Sequence, residues 1–375
     1  MMEKISRRDL LKYTGTLTTA FLVSSFFPVG LEDSSRTSCK IGERKLINFS
    51  DKIKSGGQPP DGIPPIGEPR YVSADEADGS VGISEESIIF GVDYGSETKA
   101  FPRSIMVWHE IVNESIDGQN LSITYCPLTG SAIGYKGLIG KKPTTFGTSG
   151  KLLNSNLVMY DRLSGTKSYW PQILGRSVQG PQLGDRLDSF SVIWRTWGLW
   201  KNKHPNSQIL TSDTGYIRDY GRDPYGSYQK TDTYYQKDGP MFSVMRRNDR
   251  FQPKKVVVGI KVKDCTLAVP KSEFKSKGLI NTELGEEPIA IVYEEALDTV
   301  RAFSRKVGGS VREFELEGNK IKSRSDGTRW KTDGSPIEGK LAKNDAKNDL
   351  ETVPFFDVMW FAWYSFYPET GVLEV

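Results

Sequence analysis

The chain has 375 residues, which is long for a single core and suggests two domains of ~100–200 residues each. Its 50 lysines and arginines nearly balance its 47 aspartates and glutamates. It therefore has no strong field of one sign, and we expect no nucleic-acid partner. The 37 glycines and 20 prolines, together with many aromatic residues, are typical of a protein built from strands and turns.

Residues 1–30 have the features of an export segment. Arg7 and Arg8 precede an apolar run from Thr16 to Val29, an arrangement typical of a twin-arginine signal. The run is shorter than the ~20 residues that a membrane-spanning helix needs. We therefore expect an extracytoplasmic protein that contacts a membrane only through this segment, and only where the segment is not cleaved.

Three cysteines are present, Cys39, Cys126 and Cys265. Disulfides persist outside the cytoplasm, but three cysteines are too few for a dense disulfide framework. The spacing selects no pair among them, so each pairing stays open.

Residues 31–70 are rich in serine, glycine, proline and charge, which predicts a linker or an extended arm lying on the domain. The elements predicted after this arm are strands over 86–93 and 98–101, a helix from 102 through 112, a strand over 119–125 and a helix over 190–201. Cys126 directly follows a predicted strand, at a position from which a side chain can enter a cleft. Residues 214–240, rich in tyrosine, aspartate and glycine, are predicted to connect two halves.

The second half of the chain repeats the pattern of the first half. Seven residues recur with the same identity 168 positions later, namely Gly91, Ala100, Pro102, Ser104, Asn113, Ile123 and Tyr125. The aromatic helix recurs at a spacing of 166, which pairs Phe190, Val192, Trp194 and Trp197 with Phe356, Val358, Trp360 and Trp363. We therefore predict a strand-dominated α+β fold with two tandem copies of a small β-rich unit, each closed by an aromatic amphipathic helix, over residues 71–213 and 241–375.

The reactive side chains occur in the first copy alone. At the 168-residue spacing, His109 corresponds to Lys277 and Cys126 corresponds to Glu294. Positions that merely filled the core would be expected to carry small apolar residues in the second copy. We therefore expect His109 and Cys126 to face a cleft or solvent, and we place the candidate site there.

Three hypotheses for this site stay open. The first is a soft-metal site, with copper favoured, in which His109, Cys126 and Met159 are the ligands, since thiolate and thioether are soft donors. The second is a thiol-dependent enzyme of acyl or redox type, in which His109 deprotonates Cys126 and either Glu110 or Asn113 orients the imidazole. The third is a non-catalytic module that binds glycan or protein through exposed tyrosines in residues 216–235. The ordinary alternative for Cys126 is an inert buried thiol.

Five motifs follow one another along the chain: Trp-His-Glu-Ile-Val-Asn (108–113), Tyr-Cys-Pro-Leu-Thr-Gly-Ser (125–131), Phe-Gly-Thr-Ser-Gly (146–150), Asn-Ser-Asn-Leu-Val-Met-Tyr-Asp-Arg (154–162) and Asp-Pro-Tyr-Gly-Ser-Tyr (223–228). In this order they resemble the family called domain of unknown function 3179, from about Ile63 to the C-terminus. The resemblance implies an exported bacterial or archaeal protein and brings no established activity. Many members carry a second cysteine in Cys-Pro-Leu-Cys-Gly. Thr129 stands at that position here, which argues against a two-cysteine redox or metal pair in this chain.

Overall fold

The computed structural model of the chain describes residues 43–77, 82–163, 165, 167–228, 230–339 and 349–374. The predicted export signal and Cys39 lie outside these residues. The helices of the described part are all short: α1 (Glu43–Asp51), α2 (Arg103–His109), α3 (Trp197–Lys203), α4 (Lys271–Phe274) and α5 (Trp360–Phe366). None of them is long and apolar enough to cross a membrane.

Strands dominate the described residues, which confirms the predicted α+β class. In chain order they are β1 (Lys54–Ser55), β2 (Tyr71–Ser73), β3 (Ile88–Tyr94), β4 (Glu97–Pro102), β5 (Ile111–Ile116), β6 (Gln119–Cys126), β7 (Ser131–Lys136), β8 (Leu138–Ile139), β9 (Lys142–Pro143), β10 (Phe146–Leu153), β11 (Asn156–Asp161), β12 (Tyr169–Pro171), β13 (Ser189–Phe190), β14 (Ile193–Thr196), β15 (Gln208–Leu210), β16 (Val256–Val262), β17 (Cys265–Val269), β18 (Leu279–Leu284), β19 (Glu287–Glu294), β20 (Thr299–Ser304), β21 (Lys306–Val307), β22 (Ser310–Val311), β23 (Phe314–Glu317), β24 (Lys320–Ser323), β25 (Arg329–Lys331), β26 (Pro336–Glu338), β27 (Phe355–Met359) and β28 (Gly371–Val372).

These strands form several small sheets. Their orders are β1-β10-β11-β12, β13-β7-β6-β5, β14-β3-β4-β15-β2, β27-β16-β17-β28, β18-β19-β20, β23-β24-β25-β26, and the two-stranded β8-β9 and β21-β22. Most neighbours are antiparallel, whereas β15 with β4 and β17 with β28 run parallel. In the sheet that carries the candidate site, β6 and β7 pair as far as Cys126 with Ser131, so a tight turn follows Cys126 directly.

The helix α2 is shorter than predicted. It ends at His109 because Glu110 adopts the left-handed backbone conformation (φ 58°), and the Glu110 N–H closes the helix by donating to Met106 O. Residues 111–116 then form β5 instead of a further helical turn. The apolar residues at its start satisfy a helical period and a strand equally well, so the sequence pattern did not reveal the boundary.

The helix predicted over 190–201 begins only at Trp197, because residues 193–196 form β14 at the edge of a sheet. The predicted spacing of 166 between the two closing helices is also wrong. Trp200 lies against Gly91 as Trp363 lies against Gly259, so equivalent tryptophans are 163 residues apart. Tryptophans recur every three residues in this stretch, and a shift of three positions therefore aligns them equally well.

The two halves share a side-chain clamp at matching positions. Asn113 Nδ2 donates to Phe146 O at 2.9 Å, and Asn113 Oδ1 accepts from Phe146 N at 3.1 Å. Asn281 and Phe314 make the same two bonds at 2.7 and 3.0 Å. These parallels support the tandem-repeat interpretation, which stays a prediction.

The apolar core is shared between the two halves. One cluster contains Cys126, Met159 and Trp170 from the first half together with Trp360 and Trp363 from the second half. A second cluster likewise draws on both halves. The described residues belong to one compact unit, in which a third cluster lies within the first half and a fourth within the second half.

Replacing Gly91 with alanine should destabilise the fold. The added Cβ would lie 2.2 Å from Cζ3 of Trp200, which is fully buried. Overpacking of a tight core costs about 1–3 kcal/mol, so we expect the free energy of unfolding in urea to fall by about 3 kcal/mol. Gly67→Ala is the matched control, because a Cβ there would meet no atom within 4 Å. Equal losses in the two variants would contradict this account of the packing.

Candidate functional site

His109 lies at the end of α2 and is fully buried. Both ring nitrogens are engaged, with Nδ1 2.7 Å from Pro64 O and Nε2 2.7 Å from Tyr220 Oη. Because a carbonyl oxygen only accepts, Nδ1 carries the proton and donates it, and Nε2 accepts from the tyrosine hydroxyl. Burial lowers the pKa of His109, which favours this neutral imidazole.

Through these two hydrogen bonds, His109 connects separate segments of the chain. It fastens the arm at Pro64 and residues 214–240, which we call the connector, to the end of α2. Tyr220 Oη also lies 2.5 Å from Thr214 Oγ1, so the chain of hydrogen bonds continues within the connector. The expectation that His109 faces a cleft or solvent is wrong, and neither of its nitrogens is bonded to Cys126.

Cys126 ends β6 and is 1 % exposed, so the same expectation is wrong here too. Its Sγ accepts from Leu157 N at 3.3 Å and donates to Ser155 O at 3.8 Å. Burial and, after it, the neighbouring Glu110 carboxylate raise the pKa of the Cys126 thiol to about 11. The thiol is therefore protonated at neutral pH, whereas activated cysteines have depressed pKa values.

Cys126 is a free thiol, whereas Cys265 is disulfide-bonded. The pairing of Cys126 with Cys265, which the sequence left open, is thereby excluded. Cys126 is thus available for chemistry of its own.

Glu110 is the titratable residue beside Cys126. Its left-handed backbone is held at both ends, because its N–H donates to Met106 O at 2.8 Å and its carbonyl accepts from Tyr125 N at 2.7 Å. The side chain is 6 % exposed, and burial raises the pKa of Glu110 to about 8. Non-glycine residues with positive φ and carboxyls with strongly raised pKa are both enriched at functional sites.

The connector covers Cys126 and Glu110 with tyrosines. Tyr225 packs against the apolar cluster that contains Cys126, and burial, followed by the charges of Glu110 and Cys126, raises the pKa of its hydroxyl. Tyr234 Oη donates to Leu128 O at 2.6 Å, inside the turn that follows Cys126. The predicted exposure of the tyrosines in residues 216–235 holds only for Tyr216, since the others are half-buried or buried.

Arg103 and Asp223 hold the connector in place. Their side chains form an ion pair and are 17 % and 11 % exposed. Tyr235 Oη donates to the same carboxylate at 3.0 Å. The Tyr228 and Tyr235 rings stack with centroids 3.8 Å apart, and the Arg103 guanidinium lies 5.2 Å from the Tyr228 centroid. The ion pair and the stacked rings together form an anchor for the connector.

Two hydroxyl groups near this anchor, those of Tyr125 and Tyr228, are buried next to each other: burial raises the pKa of Tyr228, and the neighbouring Tyr125 hydroxyl raises it further. Tyr125 immediately precedes Cys126, and burial raises its pKa to about 12. Two neighbouring hydroxyls use only one of their two protons in a bond to each other, so one O–H is left to donate to a ligand or a water molecule.

Thr129 occupies the position of the second cysteine of the resembled pattern. Its hydroxyl lies 2.8 Å from Ser131 Oγ and accepts from Asn156 Nδ2 at 3.1 Å. Asn156 Nδ2 also donates to Gln172 Oε1 at 2.8 Å. The turn after Cys126 is therefore held by a buried network of hydroxyl and amide groups. The Thr129 hydroxyl belongs to this network at the position where many family members have a second thiol.

Met159, the third predicted metal ligand, is fully buried in β11 and belongs to the same apolar cluster as Cys126. His109 could join these two residues on a metal only by giving up one of its hydrogen bonds. Within the described ranges, no group of three or more His, Cys, Asp or Glu side chains is arranged to hold a metal ion. The proposed set of His109, Cys126 and Met159, which includes a thioether, is not of this kind and stays a prediction.

The second half carries a buried ion network at the position that corresponds to Cys126. Glu294 is fully buried, its Oε2 pairs with Arg301 Nε, and its Oε1 lies 3.4 Å from Lys203 Nζ. Lys203 also pairs with Asp333 at 2.5 Å, so the network joins α3 to the second half. A charged residue at position 294 therefore does not indicate an exposed position, contrary to the sequence argument.

Sequence reasoning missed Arg103 and Asp223 as site residues, and it assigned the tyrosines of residues 216–235 to an exposed binding surface instead of the thiol site. The motif at 223–228 was visible as a family feature, but it was placed in a connection between halves. Only the path of the connector shows that this motif lies over Cys126.

The fold and the site define a strand-dominated α+β protein with a buried thiol and carboxyl beneath an aromatic connector. The family model described as protein of unknown function (DUF3179) matches residues 60–370, so the chain belongs to this family. The matched residues include the thiol, the carboxyl and the connector. No curated protein and no solved structure matches the chain.

Proposed function

We propose that this chain is an exported thiol-dependent enzyme in which Cys126 is the nucleophile and Glu110, in place of His109, exchanges the thiol proton. One observation supports this most strongly: a buried carboxyl with a pKa of about 8 lies beside a buried free thiol. A carboxyl whose pKa lies near the working pH suits general acid–base catalysis.

The reaction begins with both groups protonated. Glu110 first releases its proton to solvent, and its carboxylate then takes the proton from Cys126 Sγ. The thiolate adds to a carbonyl carbon of the substrate, so that the C–S bond forms as the electron pair of the C=O π bond moves onto the oxygen. The Leu157 N–H, 3.3 Å from Sγ, stabilises the thiolate by donating to it. The neighbouring Tyr125 and Tyr228 hydroxyls provide a donor for the substrate oxygen that becomes negative.

The same proposal includes export of the chain from the cytoplasm. The paired arginines and apolar run in residues 1–30 support it, as does the disulfide at Cys265. Disulfides persist in oxidising compartments and are rare in the cytoplasm.

Glu110→Gln tests whether the carboxyl and the thiol are coupled. The wild-type thiol should react with iodoacetamide roughly 100-fold more slowly than a free thiol at pH 8.5, because its pKa is about 11 instead of ~8.5. Glutamine removes the negative charge that raises this pKa, so the variant should react several-fold faster than wild type above pH 9. Peptide mass spectrometry after timed alkylation measures both rates at Cys126.

The same variant gives a second readout in thermal stability. Folding raises the pKa of Glu110 to about 8, so the wild type gains stability from the protonated form and loses it as the pH rises through about 8. Melting temperatures from pH 6 to pH 9 should therefore fall more in wild type than in Glu110→Gln. Glu283→Gln, at an exposed position in β18, is the matched control.

Wild-type alkylation rates in Glu110→Gln at every pH would show that the two groups are uncoupled, and the proposal would fail. Stoichiometric copper that is lost in Cys126→Ala would instead support the soft-metal hypothesis. Binding of a glycan or protein that survives substitution of Cys126 and Glu110 would support the non-catalytic module.

A further inference from the structure

A separate cleft of about 690 Å³ opens between the two halves. Its lining comes from the first half through Lys136 and residues 174–175 and 186–189, and from the second half through residues 261–263 and 351–354 together with Glu287, Ser304 and Lys306. Leu174, Leu187 and Val353 give it an apolar floor. Its volume falls within the ~300–1,000 Å³ of small-molecule sites.

The wall of this cleft is more basic than acidic. Its charged residues are the cations Lys136, Arg186, Lys261, Lys263 and Lys306 and the anions Asp188, Glu287 and Glu351. Three of the cations are paired: Lys306 with Glu287, Arg186 with Asp264, and Lys136 more loosely with Asp188 at 3.9 Å. Lys261 and Lys263 form no ion pair with a described residue. Among the acidic residues that line the cleft, only Glu351 likewise lacks an ion pair with a described residue. The surplus charge of the cleft is therefore positive.

Lys261 is placed to meet a ligand. Its Nζ donates to Ile173 O at 3.2 Å and to Leu174 O at 2.9 Å, and it lies 5.3 Å from the centroid of the Tyr367 ring. An ammonium group has three N–H donors, so one is left for a group inside the cleft. Burial lowers the pKa of Lys261 to about 7, an effect that a bound anion would reverse by stabilising the charged form.

We propose that this cleft binds a small organic carboxylate with an apolar body, its carboxylate on Lys261 and its body on the apolar floor. An inorganic anion would occupy a small part of the cleft and leave the floor without a partner. A nucleic acid would need a continuous basic surface, which Asp188, Glu287 and Glu351 interrupt. The site is distinct from the thiol site and does not depend on the function proposed for Cys126.

Titration calorimetry of the folded chain with octanoate at pH 7 tests this inference. Wild type should bind one octanoate per chain, and inorganic phosphate should bind at least tenfold more weakly. Lys261→Gln should weaken octanoate binding about tenfold, because a charged hydrogen bond is lost.

Several variants keep the test decisive. Lys263→Glu reverses a charge at the exposed rim without touching the carbonyl bonds of Lys261, and it should weaken binding about fivefold even where Lys261→Gln folds poorly. Lys52→Gln, an exposed lysine outside the cleft, and Cys126→Ser should both bind as wild type does. The proposal is overturned by no octanoate binding at millimolar concentration, by equal binding of phosphate, or by wild-type binding in Lys263→Glu.

Discussion

Replacing Arg103 with glutamine should make Cys126 reactive. The Arg103–Asp223 ion pair fastens the connector over the thiol, and its side chains are only 17 % and 11 % exposed. Removing one partner of a buried pair costs about 3–5 kcal/mol, because the other charge stays buried without compensation. If about 3 kcal/mol of this loss favours an opened connector, the alkylation rate of Cys126 at pH 8.5 should rise roughly 100-fold, since ~1.4 kcal/mol corresponds to a factor of ten.

The measurement is the iodoacetamide rate at Cys126, taken well below the melting temperature of each variant. Arg222→Gln is the matched control, because Arg222 lies in the same connector and is exposed. Its rate should equal that of the wild type. A lower melting temperature in Arg103→Gln with an unchanged alkylation rate would show that the connector does not limit access to the thiol.

Replacing Arg301 with leucine should cause the largest loss of stability. Glu294 is fully buried and loses its principal partner, while the Lys203 ammonium at 3.4 Å compensates only in part. We expect the free energy of unfolding in urea to fall by about 3–5 kcal/mol. The same change at Arg329, whose pairs with Glu317 and Glu338 lie at the surface, should cost less than about 1 kcal/mol.

A double replacement separates the cost of an unpaired charge from other effects of losing Arg301. In Glu294→Leu combined with Arg301→Leu, neither a buried carboxylate nor its partner remains, so most of the lost stability should return. A double variant as unstable as the single one would assign the loss to packing of the Arg301 side chain. A single variant that loses less than about 1 kcal/mol would show that water compensates Glu294.

Prediction from sequence succeeded where neighbouring residues decide the structure. The alternation of Leu121, Ile123 and Tyr125 predicted β6, and the structure confirms a strand that ends at Cys126. It failed at Glu110, because the residues that follow fit a helix and a strand alike and only the observed φ of 58° separates the two. The tryptophans of the closing helices were misaligned for a similar reason, since their contact with a distant glycine sets the register.

Local sequence patterns were sufficient to predict the strand-dominated class, the family and the position of Cys126 at the end of a strand, because turn residues and periodicity act over a few positions. The chemistry of the site depends instead on contacts between residues that are far apart in the sequence. His109 forms hydrogen bonds with residues that are 45 and 111 positions away along the chain, and Arg103 forms an ion pair with a residue 120 positions away. Burial beneath the connector then sets the pKa values of Cys126 and Glu110. No local pattern records such contacts, since chain folding brings the groups together and removes water from them.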